Sequence, residues 1–252
     1  MKLADLTQTE YANVEERKVG KTTKGDNYST LKKVMNAYKL WFFDFVQKER
    51  LPPKTENLEF WDIAAYHVAW GMITASCKRY SLSDITQTSI AIKEYEQERS
   101  FNHSGIFLAS LINCHFEKTQ TIEEYILVTE QYEKPIDEIG FLNNGANIKI
   151  IGNAGDYLGE YMKQGKIIVQ GNAERDVGSN MEGGEIHLRN AKEGLGYLQL
   201  GGMIFVSENA GEDVGEHMYG GEIFLVQEPT TITLLTEGGN IYYKGTLIRE
   251  KE

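Results

Sequence analysis

The sequence predicts an α+β multidomain chain, an α-helical N-terminal domain followed by a C-terminal parallel β-helix, a solenoid of about 19 residues per coil. Three observations carry that prediction. A short phrase recurs through residues 145–245, glycine is concentrated in the second half, and apolar residues in the first half fall at helical spacing.

The phrase Ala146-Asn-Ile-Lys-Ile-Ile-Gly-Asn-Ala154 returns as Gly165-Lys-Ile-Ile-Val-Gln-Gly-Asn-Ala173 and, more loosely, from Gly184, Gly202, Gly221 and Gly239. Its isoleucines Ile148, Ile167, Ile186, Ile204, Ile223 and Ile241 are spaced by 19, 19, 18, 19 and 18 residues. A period of about 20 residues marks units that stack to share one core. Side chains alternate faces along a strand, so the pairs Ile148/Ile150, Ile167/Val169, Ile186/Leu188, Ile204/Val206, Ile223/Leu225 and Ile241/Tyr243 form the interior. Asn153, Asn172, Asn190 and Asn209 then fall at one turn of successive coils, where a small amide bonds to the backbone and to its stacked neighbour. Gly140, Gly159, Gly178, Gly196 and Gly215 mark one corner and Gly165, Gly184, Gly202, Gly221 and Gly239 another, where glycine supplies a positive φ. Gly140 is in step although residues 122–139 lack the phrase, so Glu124–Val128 reads as the strand of a degenerate capping coil.

The run Gly152-Asn-Ala-Gly155, followed by Gly159, Met162, Gly165, Ile167, Val169 and Asn172, resembles the right-handed β-helix that ends the glutamate synthase large subunit and that forms, by itself, one of the subunits of formylmethanofuran dehydrogenase. The resemblance covers residues 137–245. It implies a right-handed coil and a domain that packs against other domains or subunits and holds no catalytic group. The sequence departs from the phrase at Glu174 and Lys192, where the third-position glycine is missing, at Gln199 in place of methionine, and over Gln227–Thr236, which lacks the turn motif.

Composition divides the chain at the same place. Of 25 glycines, 21 lie in residues 121–252, whereas Trp41, Trp61 and Trp70 all precede them. Residues 121–252 hold 10 Lys/Arg against 22 Asp/Glu, a net of −12, and residues 1–120 hold 16 against 15. An acidic solenoid argues against nucleic-acid or anionic-membrane binding, which require basic side chains to neutralise phosphate. The only cysteines are Cys77 and Cys114, and the opening residues lack the charged-then-apolar pattern of a leader, so the expected compartment is reducing and cytoplasmic. The most apolar segment, Ile63–Cys77, is too short to cross a membrane and contains a histidine.

Residues 1–28 are polar and read as a flexible arm. Gly20-Lys-Thr22 resembles a phosphate-loop fragment, but Glu15 stands where that motif needs its first glycine. Residues 29–120 read as helical. The first helix runs from a Ser29 cap through Leu31, Val34, Tyr38, Trp41 and Phe45 and stops before Pro52-Pro53. A second spans Leu58–Arg79 with Phe60, Ile63, Ala64, His67, Val68, Gly71, Met72 and Ala75 on one face. A third spans Ser83–Glu98, although Ser89–Tyr95 alternates enough for a strand, and a fourth spans His103–Cys114. Residues 121–252 form the β-helix.

Chemistry-bearing groups are sparse. Cys77, His103, Cys114 and His115 lack zinc-site spacing, and Asp62 and His67 are five apart, too far round a helix for an acid–base dyad. No catalytic, cofactor-binding or metal-ligating residue is assigned. The informative row faces outward: Lys149, Ile168, His187, Phe205, Phe224 and Tyr242, one per coil, turns from polar to aromatic at a spacing of about 4.8 Å. Contiguous exposed apolar surface marks a contact, so Ile168, His187, Phe205, Phe224 and Tyr242 are the expected interface, although stacking along the ladder also accounts for aromatic residues there. The expected function is a non-catalytic scaffold, as a homo-oligomer or a subunit of a larger complex. A left-handed hexapeptide acyltransferase is disfavoured because the glycines step by seven and six rather than by sixes. A carbohydrate-active helix would need charged residues clustered on one outer sheet, and sugar stacking on Phe205 and Tyr242 is the alternative to a protein contact.

Overall fold

A computed structural model describes residues 26–42, 58–92, 104–232 and 238–249. Helices α1 (Asp26–Leu40), α2 (Leu58–Ser76), α3 (Leu82–Ala91) and α4 (Ser104–Thr119) precede strands β1 (Tyr125–Val128), β2 (Asn144–Ile151), β3 (Gln164–Val169), β4 (Glu185–Leu188), β5 (Met203–Val206), β6 (Glu222–Leu225), β7 (Asn240–Tyr243) and β8 (Thr246–Arg249). The second half is a parallel β-solenoid of about six coils, with about 19 residues in each.

The eight strands form one sheet in chain order. Every pair from β1 to β7 is parallel and only β7–β8 is antiparallel. Successive strands place Ile148, Ile167, Ile186, Ile204, Ile223 and Ile241 side by side, all buried. β1 is the expected strand of a first, atypical coil, its Tyr125 and Leu127 aligned with Ile148 and Ile150. Two further rows complete the interior: Leu158, Val177, Leu195 and Val214, then Met162, Met181, Gln199 and Met218. Each coil buries its row only against its neighbours, so the core is continuous by construction.

That core does not stop at the helices. One apolar cluster runs from Val34, Trp41 and Ile73 through Ile106 and Ile112 into Tyr125, Phe141 and the isoleucine row. Residues Ser104 to Cys114 of α4 are buried on every side. At Gly105 the helix touches the turn before the second coil so closely that a Cβ would collide with the Asp137 carbonyl, which is why a glycine sits in a helix interior despite its propensity cost. Buried polar side chains pin the helices: Trp41 Nε1 donates to the Ala65 carbonyl (3.0 Å), Ser110 Oγ to the Tyr66 carbonyl (3.0 Å), and Asn113 Nδ2 to Leu142 O of the solenoid (3.1 Å).

The helices differ from the sequence reading in instructive ways. α1 begins at Asp26, so Ser29 lies within it. α2 buries Asp62, Ala65, Tyr66, Ala69 and Ile73, with Cys77 buried just past its end, whereas Ile63, Ala64, His67, Gly71 and Ala75 of the expected face are exposed. The helix is apolar nearly all round, so periodicity cannot choose its buried face; packing against α1 and α4 does. α3 begins at Leu82, one residue before the expected Ser83, and is capped by Ser81: Ser81 Oγ accepts from the Asp84 N–H and Asp84 Oδ2 from the Ser81 N–H. α3 stays helical at Ser89, where alternation suggested a strand. Thr88 and Ser89 are buried there because their hydroxyls donate to the Asp84 and Thr86 carbonyls, both at 2.7 Å. The arm expected over residues 1–28, the Pro52-Pro53 stop and His103 lie outside the described residues, apart from residues 26–28 at the start of α1.

Candidate functional site

Strand pairing puts Lys149, Ile168, His187, Phe205, Phe224 and Tyr242 in one column on the outer face of the sheet. Their rings stack: His187 on Phe205 at 4.4 Å, Phe205 on Phe224 at 4.7 Å and Phe224 on Tyr242 at 4.9 Å, with interplanar angles of 17°, 7° and 7°. In-register parallel strands enforce this, because equivalent side chains repeat at the strand spacing and aromatic rings adopt parallel rotamers to fit it. Each ring is half-buried. Both faces of Phe205 and Phe224 are covered by neighbouring rings, so the column presents ring edges, not faces, to solvent.

Charged side chains flank the column. His187 Nε2 bonds Glu185 Oε2 at 3.0 Å, and Lys166 Nζ reaches the same oxygen at 2.9 Å. The hydrogen bonds from His187 and Lys166 hold the Glu185 carboxyl below the usual carboxylate range. Tyr242 Oη donates to Glu222 Oε1 at 3.3 Å, and Arg189 grips Glu208 Oε1 through Nε and Nη2 at 2.9 and 2.6 Å. Apolar exposure gathers toward the C-terminal coils, at Leu200, Tyr219, Val226, Leu247 and Ile248.

The asparagines form a ladder. Asn172 N–H donates to Asn153 Oδ1 (2.8 Å), Asn190 Nδ2 to Asn172 Oδ1 (2.7 Å), and Asn209 N–H to Asn190 Oδ1 (2.9 Å). Gly159, Gly178, Gly196 and Gly215 have φ of 69–71°. Flanking them is a feature absent from the sequence reading: Tyr157, Tyr161, Asp176, Asn180, Leu198, Asp213 and His217 are also left-handed. The alternation turns successive N–H groups in opposite directions. Gly159 N–H donates back to Ile139 O (2.9 Å), while those of Tyr157 and Tyr161 donate forward to Arg175 O and Ser179 O (2.9 and 3.1 Å). The coil thereby satisfies its backbone on a side that has no strand. Asn and Asp tolerate this conformation, so Asp176, Asn180 and Asp213 carried a faint signal; Tyr157, Tyr161 and Leu198 carried none.

Groups with reactive potential elsewhere are committed to structure. Cys77 and Cys114 are buried free thiols, which burial pushes up to about 11 and about 12, where a thiolate nucleophile is not formed at neutral pH. His115 shares a hydrogen bond with Tyr125 Oη (2.9 Å); its burial, with Lys118 adding, lowers its pKa against an opposing backbone hydrogen bond to Tyr80. Asp62 is buried and His67 exposed. Among the described residues no group of His, Cys, Asp and Glu side chains is arranged to hold a metal ion. A cleft of about 710 Å³ opens between the start of α3 and the end of α4, lined by Ser81, Ser83, His115, Thr119, Thr121 and Glu123. Three of its hydroxyls bond locally: Ser81 in the cap, Thr119 on the His115 carbonyl (2.9 Å), and Thr121 accepting the Glu123 N–H (3.1 Å). No helix among the described residues is long and apolar enough to cross a membrane.

No protein-family model matches the chain, and no curated protein matches it.

Proposed function

We propose that the chain is a non-catalytic scaffold that offers its solenoid as a rigid docking surface to a protein partner, with the column His187, Phe205, Phe224 and Tyr242 and the adjoining Ile168 at its centre. The carrying observation is the stacked, half-buried aromatic column on a face whose backbone cannot move without breaking the ladder. Aromatic residues are enriched at the centres of protein interfaces because they combine large apolar area with few rotatable bonds. The flanking charges form the polar rim such a contact needs. Buried thiols with raised pKa values, and a histidine held between tyrosines, support a structural rather than catalytic use of the helical half, in a reducing cytoplasmic setting.

A carbohydrate ligand is the weaker reading. Sugars stack on ring faces, and those of Phe205 and Phe224 are occupied by each other and by His187 and Tyr242. The resemblance of the repeat to the β-helices of the glutamate synthase large subunit and of formylmethanofuran dehydrogenase agrees with a scaffold role, since those domains pack against others. Kinship with them is part of this proposal.

The test is the paired substitution Phe205→Thr with Phe224→Thr, which keeps strand propensity and removes the column's middle. A partner that co-purifies with the unaltered chain from its native source is expected to be lost from the variant, while the far-ultraviolet circular dichroism stays the same. Equal recovery of that partner with both proteins would sink the reading, as would a partnerless chain whose thermal stability responds to oligosaccharides.

A further inference from the structure

Charge and apolarity change together along the stack. Residues 145–192 hold six Lys/Arg against six Asp/Glu, whereas residues 193–243 hold eight Asp/Glu and no Lys or Arg. In the first group the cations answer acids one coil away: Lys163 meets Glu182 (3.7 Å), Lys166 meets Glu185 (2.9 Å), Arg175 meets Glu193 (2.6 Å), and Lys192 pairs with Glu174. Arg189 reaches on to Glu208 (2.6 Å), after which no Lys or Arg stands before Lys244. The six acidic residues from Glu212 to Glu237 therefore share residues 209–243 with none. These are the coils in which the outer column turns aromatic, at Phe205, Phe224 and Tyr242. They are also where Leu200, Tyr219 and Val226 stand 53%, 47% and 54% exposed. Carboxylates lie at both ends of the middle strand: Glu222 opens β6 and accepts from Tyr242 Oη, and Glu228 follows it, exposed, beyond Val226.

We infer that the partner of the aromatic column is a basic polypeptide segment, which lays apolar side chains along Phe205, Phe224 and Tyr242 and directs Lys or Arg at Glu222 and Glu228. The inference rests on the scaffold reading and names the chemistry of its partner. Neither feature alone selects that occupant. Acids spread evenly along the solenoid would serve solubility, and an apolar column in neutral surroundings would take any apolar surface. Their confinement to the same coils selects one occupant. Apolar contact supplies the centre of an interface, while opposite charge at its rim orients the partner and refuses acidic proteins and nucleic acids. A polypeptide suits the surface better than a small cation, because the column crosses the four strands β4 to β7 and needs apolar groups and charge together.

Fluorescence anisotropy of a labelled peptide of alternating lysine and leucine, titrated with the full chain, tests it. The complex is expected to form at about 50 mM salt and to weaken at least about tenfold by about 500 mM. Glu222→Gln with Glu228→Gln is expected to raise its Kd at least about fivefold, and Phe205→Thr with Phe224→Thr to do the same. Glu174→Gln with Glu182→Gln removes as much charge from the balanced coils and is expected to change the Kd less than about twofold. No binding of the peptide overturns the inference, as does an equal loss in the two glutamine pairs, which would mean that charge acts without a site. Polylysine bound as tightly, with an affinity that the threonine pair leaves unchanged, overturns it too, as does equal binding of a glutamate–leucine peptide. A native partner lost with the threonine pair and kept with Glu222→Gln/Glu228→Gln also overturns it, while leaving the scaffold reading in place.

Discussion

Ser89 Oγ accepts the backbone N–H of Val128 at 3.1 Å while donating to the Thr86 carbonyl at 2.7 Å. One helix hydroxyl thus completes its own turn and terminates a β-sheet. Ser89→Ala is expected to leave the Val128 N–H buried and unpaired, at a cost of about 1–3 kcal/mol. Urea denaturation measures it, and hydrogen exchange at Val128 should accelerate more than at Ile148. A loss below about 0.5 kcal/mol would mean that water replaces the hydroxyl at this edge.

Gln199 is fully buried in a row otherwise made of Met162, Met181 and Met218. Its Nε2 donates to the Gly201 and Gly202 carbonyls at 3.0 and 3.1 Å, but its Oε1 is buried without a partner. Gln199→Met removes the orphaned acceptor and restores the row at similar volume. The variant should be more stable by about 1 kcal/mol, read from the denaturation midpoint. A destabilised variant would show that the two donated hydrogen bonds outweigh the orphan.

Asp176 combines burial with the nearby Asp156 and Glu193 carboxylates, which together push its pKa up to about 6 despite Arg175 and a hydrogen bond from Tyr157. A carboxyl whose folded pKa exceeds its unfolded value binds more protons in the native state, so it adds stability as the pH falls through 6 toward 4 and opposes folding above 6. Asp176→Asn keeps a residue that tolerates the φ of 55° and removes the charge. The variant should melt higher than the parent above about pH 7 and lose that advantage near about pH 4.5, a comparison made by thermal scans across pH. A gain independent of pH would assign the effect to packing instead.

Two glycines should respond oppositely to alanine. Gly71 lies in α2, exposed, with nothing within 4 Å of a would-be Cβ, and Gly71→Ala is expected to stabilise by about 0.5–1 kcal/mol through helix propensity. Gly178 has φ of 69° and a Cβ there would stand 2.5 Å from Ile204 Cδ1. Gly178→Ala should destabilise by about 1–3 kcal/mol, from the left-handed backbone and the crowded isoleucine row together. Similar melting temperatures for the two variants would refute the distinction.

Much of this architecture was legible because a solenoid repeats one local solution. Ile148, Ile167 and their successors announce the period, and in a parallel in-register stack the period already dictates which side chains meet, so the column of His187, Phe205, Phe224 and Tyr242 was readable before any coordinate. The helical half offers no such redundancy. α2 is apolar on most sides, and its buried face is set by the helices packed against it. The alternation from Ser89 to Tyr95 left a strand open beside the helical reading, and the role of the Ser89 hydroxyl depends on Val128, which is distant in the chain.

By itself the sequence determined the coil length, the inward and outward rows and the two-part organisation, all consequences of local periodicity and of glycine at corners. Only the tertiary structure decided which helix face is buried, how α3 closes the sheet edge at β1, and that the outer rings show their edges. Those outcomes depend on contacts between residues far apart in the chain, and no single stretch of sequence encodes the partner it meets.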